Sequence, residues 1–215
     1  MTSGPNQTGS ARQAALVALV AFAFYGAGVC RFALAGDSSV FYIRSSLLLL
    51  DGAAQTHALF LFLAHPFTCI PGVGIPFALG IFAAFWGAVT VGLTAALARR
   101  LGGSSRAAWL VSMGLMVSHG LWFHASMAEV YTLNTALLAI VLYGCVRWVC
   151  EARLVWLALA VSVAALGLSN HMLMGLSLAV VVGWGLLTAL FRRQRLMPIL
   201  GTMVVAGLAG LLPWL

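Results

Sequence analysis

From Ala14 to the end of the chain, apolar runs of near-membrane length follow one another, separated only by short polar turns. A helix needs roughly 20 apolar residues to cross a bilayer. Hydrophobic residues make up 63% of the chain and charged residues 7%, against about 25% charged in a soluble domain. A chain so poor in charge cannot cover a soluble surface, so the fold class is all-α: a polytopic bundle of transmembrane helices. The net charge of +7 is no nucleic-acid signal, because all eleven basic residues are Arg and most lie in the turns between apolar runs, where they set topology. The absence of Lys fits a GC-rich, bacterial genome.

The reading gives a polar, disordered cytoplasmic tail over 1–12 and a transmembrane domain over 13–215. The first span runs from Ala14 to about Ala35. Ala33-Leu34-Ala35 before Gly36 resembles a signal-peptidase site, but the run exceeds a usual signal core and is interrupted by Arg31, so it reads as an uncleaved span. Two shorter stretches follow, Val40 to Leu50 and His57 to Phe67. They suit amphipathic helices in the first outer loop rather than spans. Further spans are expected over Pro76–Leu97, Ala107–Phe123, Tyr131–Trp148, Leu154–Leu168, Met172–Leu190 and Met197–Leu215, about seven in all.

Placing the N-terminus in the cytoplasm puts Arg12, Arg99, Arg100, Arg106, Arg147, Arg153, Arg192, Arg193 and Arg195 inside, as the positive-inside rule asks. Asp37, Asp51, Glu129 and all five histidines (His57, His65, His119, His124, His171) then fall on the outer side. The histidines took no part in setting the orientation, so their clustering points to a polar cleft on the extracytoplasmic face of a plasma (inner) membrane.

The richest polar stretch is Ser118 to Asn134, which holds His119, His124, Glu129 and Tyr131. His119 and His124 would sit about 140° apart on a continuous helix and could not share a metal. No histidines pair at matching depths as haem ligands would. Ser126-Met-Ala-Glu129 has the spacing of a capping box, which would give Glu129 a structural role at the start of the next span. Asp37, directly after the first span, suits either a helix N-cap or a general base. Asn170-His171 lies at a turn between spans. Cys30, Cys69, Cys145 and Cys150 have no metal spacing; Cys30 and Cys69, near the outer face, read as two inert buried thiols, with an outer Cys30–Cys69 disulfide as the alternative.

Three segments resemble a known family. Gly36-Asp37-Ser38 is similar to the start of a Gly-Asp-Ser-Gly-Glu-Phe motif. Trp122 through Glu129-Val-Tyr131-Thr-Leu-Asn134 is similar to a Trp…Ala-Glu-Val-Tyr-x-Leu segment, and Gly167-Leu-Ser-Asn170-His171 to a Gly-Leu-Ser…His turn. All belong to the protein O-mannosyltransferase-like family of GT-C glycosyltransferases. Two features depart from its pattern. The motif's Glu falls at Val40, and a His-Pro-Pro-Gly-Tyr-Pro-Leu motif falls roughly on Ala53 to Leu59, where only Leu59 is kept. Relatives also continue past Leu212-Pro213, so the chain is expected to be an N-terminal portion.

The resemblance implies a transferase that moves a sugar, mannose by family, from a polyprenyl-phosphate donor to a protein or glycan hydroxyl. It assigns Asp37 as general base, with Glu129, His57, His171, Asn170, Tyr131 and His124 lining the substrate cleft. No cofactor is assigned, a divalent cation is compatible, and no metal ligands are assigned. Membrane lipid is an expected partner and nucleic acid is not. The alternatives are a transporter or lipid carrier, which would place its ionisable groups at the bilayer midplane, and an inactive membrane scaffold.

Overall fold

The computed structural model describes residues 7–32, 37–50 and 57–212, and among them the secondary structure is helical with no strand. Ten helices follow in order: α1 Gln7–Ala27, α2 Asp37–Leu47, α3 Ala58–Thr68, α4 Ile75–Arg100, α5 Ser105–Met116, α6 His119–Ala125, α7 Tyr131–Glu151, α8 Leu154–Gly167, α9 Met174–Phe191 and α10 Leu196–Leu211. They group into two compact units, Met1–Ala136 and Leu137–Leu215. The stretch Ala33–Gly36 with its cleavage-like pattern, residues 51–56 and the terminal residues 213–215 lie outside the described residues.

Among the described residues, four helices are long and apolar enough to cross a membrane: Gly9–Ala27, Ile75–Arg100, Tyr131–Glu151 and Met174–Phe191. This is fewer than the seven spans expected. At 14 and 16 residues, α8 and α10 rise only about 21 and 24 Å, short of the roughly 30 Å of a hydrocarbon core. The expected span Ala107–Phe123 is not one helix but two. α5 starts where Ser104 Oγ accepts the Ala107 N–H at 3.1 Å and stops at Met116. Carbonyls exposed by the break must find donors in an apolar setting. The buried Tyr25 hydroxyl donates to Met116 O at 3.0 Å, and Ser118 Oγ donates to Leu115 O at 2.7 Å. α1 begins at Gln7, so residues 7–12 of the expected disordered tail are helical.

In the first unit, α1 lies along α4 because small residues let the backbones meet. A Cβ at Gly92 would sit 2.8 Å from Ala18 Cβ and 2.9 Å from the Ala14 carbonyl oxygen. Val17, Ala21, Tyr25, Ala88 and Val91 form the buried seam. The two short helices expected after the first span are present. A ladder of rings ties them to α4: Phe41 to Phe60 at 5.0 Å, Phe60 to Phe82 at 5.3 Å and Phe67 to Phe82 at 5.2 Å. His65 Nδ1 also meets Ser45 O at 2.7 Å, which makes His65 a strut between α2 and α3.

In the second unit, α8 and α10 pack through Gly210, where a Cβ would collide with the Ser162 carbonyl oxygen. Ser162 Oγ donates to Ala206 O at 2.9 Å across the same pair. At the α7–α8 turn, Glu151 accepts from Arg147 at 3.0 Å and from Trp156 Nε1 at 2.8 Å. The Arg147 guanidinium also lies over the Trp156 ring, 3.9 Å from its centre. The four cysteines are free, and the expected burial of the outer two does not hold: Cys69 is exposed and Cys30 half-buried, while Cys145 is buried and Cys150 exposed.

Candidate functional site

Two hydrogen bonds fold the segment after α1 onto the loop between α6 and α7. The Cys30 N–H donates to Ser126 O at 2.8 Å, and Ser38 Oγ donates to Ala128 O at 3.0 Å across 90 positions of sequence. The second bond is buried, since Ser38 is 1% exposed. It brings the first turn of α2, which carries Asp37, against Glu129.

Glu129 occupies a half-buried position between α6 and α7. Its pKa is raised, first by burial and then by the negative charge of Asp37; its contacts with the Ser38 side chain and the Val130 N–H offset part of this. Like charges held together disfavour ionisation of one of them. Asp37 itself is exposed, in the first turn of α2, where the helix dipole favours an anion. The pair therefore combines an exposed carboxylate with a sheltered one that holds its proton more tightly.

The capping box expected at Ser126–Glu129 does not form. Ser126 ends α6, and its hydroxyl donates back to Trp122 O at 2.8 Å. The next helix starts only at Tyr131, so the Glu129 carboxylate turns to Ser38 and the Val130 N–H instead. The N-cap reading of Asp37 also shifts, because Asp37 is already the first helical residue.

His57 joins the same neighbourhood through Phe41. Phe41 follows Asp37 by one turn and shares its face of α2. The His57 ring stands edge-on to Phe41 with centres 5.7 Å apart. His57 precedes α3 in a left-handed conformation, φ 49°, a region where His is over-represented among non-glycine residues. Val40, which stands where the family motif has Glu, is exposed on α2.

His124 and Tyr131 meet with ring centres 4.7 Å apart, across the loop that holds Glu129. The His124 pKa is lowered, first by burial and then by the charge of His119. His119 does not reach it directly but stacks on Phe123, 5.7 Å between centres and 14° between planes. His124 and Tyr131, with Thr90, Ser118, Thr132 and other residues of the first unit, line a cavity of about 380 Å³.

Asn170 and His171 belong to the second unit. The turn is closed by the Asn170 and His171 N–H groups, both donating to Gly167 O at 2.9 Å. His171 Nδ1 accepts the Leu173 N–H at 3.2 Å, just ahead of α9. Asn170 is buried, 1% exposed. No group of three or more His, Cys, Asp or Glu among the described residues is arranged to hold a metal ion.

Sequence reasoning passed over Ser38 and Thr132. Ser38 stands beside Asp37 in the recognised motif, but its partner is 90 positions away. Thr132 lies inside the polar island, yet nothing in the spacing says that its hydroxyl is buried.

No curated protein matches the chain, and no solved structure does. One family model matches residues 54–196, well over half of the chain. The matched range takes in His57, His124, Glu129, Tyr131, Asn170 and His171, and begins after Asp37. The chain therefore belongs to the family described as the protein O-mannosyl-transferase TMEM260 N-terminal domain.

Proposed function

We propose that the protein transfers a sugar, mannose, from a polyprenyl-phosphate donor to a hydroxyl acceptor at the extracytoplasmic face of a bacterial inner membrane, in the manner of a GT-C enzyme. The observation that carries this reading is the pairing of Asp37 with Glu129, two acids remote in sequence, in a chain of an O-mannosyltransferase family.

The two acids divide the work by environment. Asp37, exposed at the start of α2, takes the proton from the acceptor hydroxyl. The acceptor oxygen then attacks the anomeric carbon, and the bond to the phosphate oxygen breaks. Polyprenyl phosphate leaves with the electron pair, and the sugar inverts. Glu129 keeps its proton more readily and can donate a hydrogen bond to a donor or acceptor oxygen, while Ser38 fixes the loop that carries it. His57, His124 and Tyr131 flank the acids as binding groups. The acceptor is a protein or glycan.

The test is mannosyl transfer from radiolabelled polyprenyl-phosphate mannose by the membrane-embedded protein. Asp37→Asn is expected to lower the rate by about 10²–10⁴, the usual contribution of a positioned base, with unchanged yield in the membrane. Full activity in that variant would remove Asp37 from the mechanism.

A further inference from the structure

Two hydrogen-bonded points set α1 beside α5. At one end Gln13 and Ser105 are joined twice: Gln13 Nε2 donates to Ser105 O at 2.8 Å, and Ser105 Oγ donates to Gln13 Oε1 at 3.0 Å. Further along, the Tyr25 hydroxyl meets Met116 O. Gln13 precedes Tyr25 and Ser105 precedes Met116, so the two helices run parallel. On α1, Ala14 and Ala18 are turned to Gly92 of α4.

A helix turns about 100° per residue. Arg12 comes just before the bonded Gln13, and Arg106 just after the bonded Ser105. In a parallel pair these opposite steps turn both arginines to one side, the side away from α4. Both are exposed. The same rotation puts Leu16 and Leu19 below Arg12, and Leu110 and Val117 below Arg106. Each of the four is more than half exposed. The face therefore has two cations at its start and an apolar surface leading away from them.

These cations have no nearby carboxylate among the described residues. The acids of the first unit are Asp37 and Glu129 there, and the ring ladder holds α2 near Phe82 of α4. Arg99 stands roughly 26 Å further along that helix, well past a screening length of about 8–10 Å. Arg99 donates to Gly103 O at 2.8 Å, just ahead of α5, so it and Arg100 add to the positive charge at this end. Arg147 of the second unit, by contrast, has Glu151 as countercharge. Arg106 also lies in the first turn of α5, the helix end that repels a cation and attracts an anion.

We propose that this face of α1 and α5 seats one anionic phospholipid, its phosphate between Arg12 and Arg106 and its acyl chains along the four apolar side chains. A guanidinium matches phosphate oxygens in a bidentate fork. α1 and α4 are long and apolar enough to cross a membrane, and arginines at their ends stand at the depth of lipid headgroups. A free phosphate would leave the apolar surface unused. A zwitterionic lipid would bring its own cation to a cluster of arginines.

The experiment uses the whole protein in detergent micelles with a diazirine-bearing phosphatidylglycerol, and maps the adducts by mass spectrometry. Adducts are expected on α1 and α5 around Leu16 and Leu110. Unlabelled phosphatidylglycerol should compete at least tenfold better than phosphatidylcholine with the same chains, and at least tenfold better than glycerol phosphate, which has the headgroup alone. The double variant Arg12→Gln, Arg106→Gln should reduce the preference over phosphatidylcholine below threefold. The double variant Arg12→Lys, Arg106→Lys should retain most of it and report that the fold is intact, and Arg195→Gln, at an exposed arginine of the second unit, should leave it unchanged. Equal competition by phosphatidylcholine would overturn the proposal, and so would a full preference in the double Gln variant, since the two arginines would then serve topology alone. Equal competition by glycerol phosphate would make this a free-phosphate site and overturn the lipid. Adducts on the wild type spread evenly over the other helices would overturn it whatever the variants do.

Discussion

Glu129 and Asp37 have the same chemistry and different surroundings, and this difference is what a two-acid site requires. It also has a measurable consequence for stability. Because the raised pKa makes the ionised form of Glu129 uphill in the folded protein, its share of stability is full below the ordinary carboxylate pKa. Stability is then lost as pH rises toward the raised value and is flat above it. Glu129→Gln removes this dependence, so the wild type should lose unfolding midpoint relative to the variant as pH rises from acid toward neutral. Asp37→Asn should shrink the loss without abolishing it, because burial is the larger cause. Thermal unfolding of the detergent-solubilised protein across pH checks both, and a parallel pH profile for wild type and Glu129→Gln would refute the sheltered acid. Neither the pairing nor its cause was legible in the sequence. The Ser-x-x-Glu spacing pointed to a local cap, but Ser126 has the Trp122 carbonyl within reach, and Glu129 finds Ser38 through a chain reversal that no local pattern encodes.

Among the elements, the break between α5 and α6 matters most for the cavity, because the end of α5 and the start of α6 both line it. Hydropathy runs on through Val117 without pause, so the sequence reads as one span. The break depends on the Tyr25 hydroxyl, 91 positions earlier, meeting the Met116 carbonyl. The helices that were legible, such as α4 and α7, are those whose identity rests on apolar length, a property local to each segment. Tyr25→Phe removes only the hydroxyl and leaves the ring packed beside Gly87. It should cost about 1–3 kcal/mol, the penalty for leaving a buried partner unsatisfied. Equilibrium unfolding in mixed micelles measures this, and a loss well under 0.5 kcal/mol would mean that the break is held by packing alone.

At the scale of the whole molecule, each unit is built around a helix pair brought into contact by small residues: α1 with α4 in one, α8 with α10 in the other. Between apolar helices in a lipid setting, hydrophobicity gives no net drive for association, and close backbone approach with interhelical hydrogen bonds supplies it. The Ser162–Ala206 bond and the bare face of Gly210 are both parts of that arrangement. The same helix offers its own control, because a Cβ at Gly201 would meet nothing within 4 Å. Gly210→Ala should push α10 off α8 and cost about 1–3 kcal/mol, the range for an added group in a packed core. Gly201→Ala should be neutral or stabilise by about 0.5–1 kcal/mol through the helix preference for Ala over Gly. Denaturant titration of both variants separates packing from propensity. If the two substitutions shift the midpoint alike, the α8–α10 contact contributes little to the second unit, and α8 and α10, both short for a bilayer, must be held there by lipid or by other contacts.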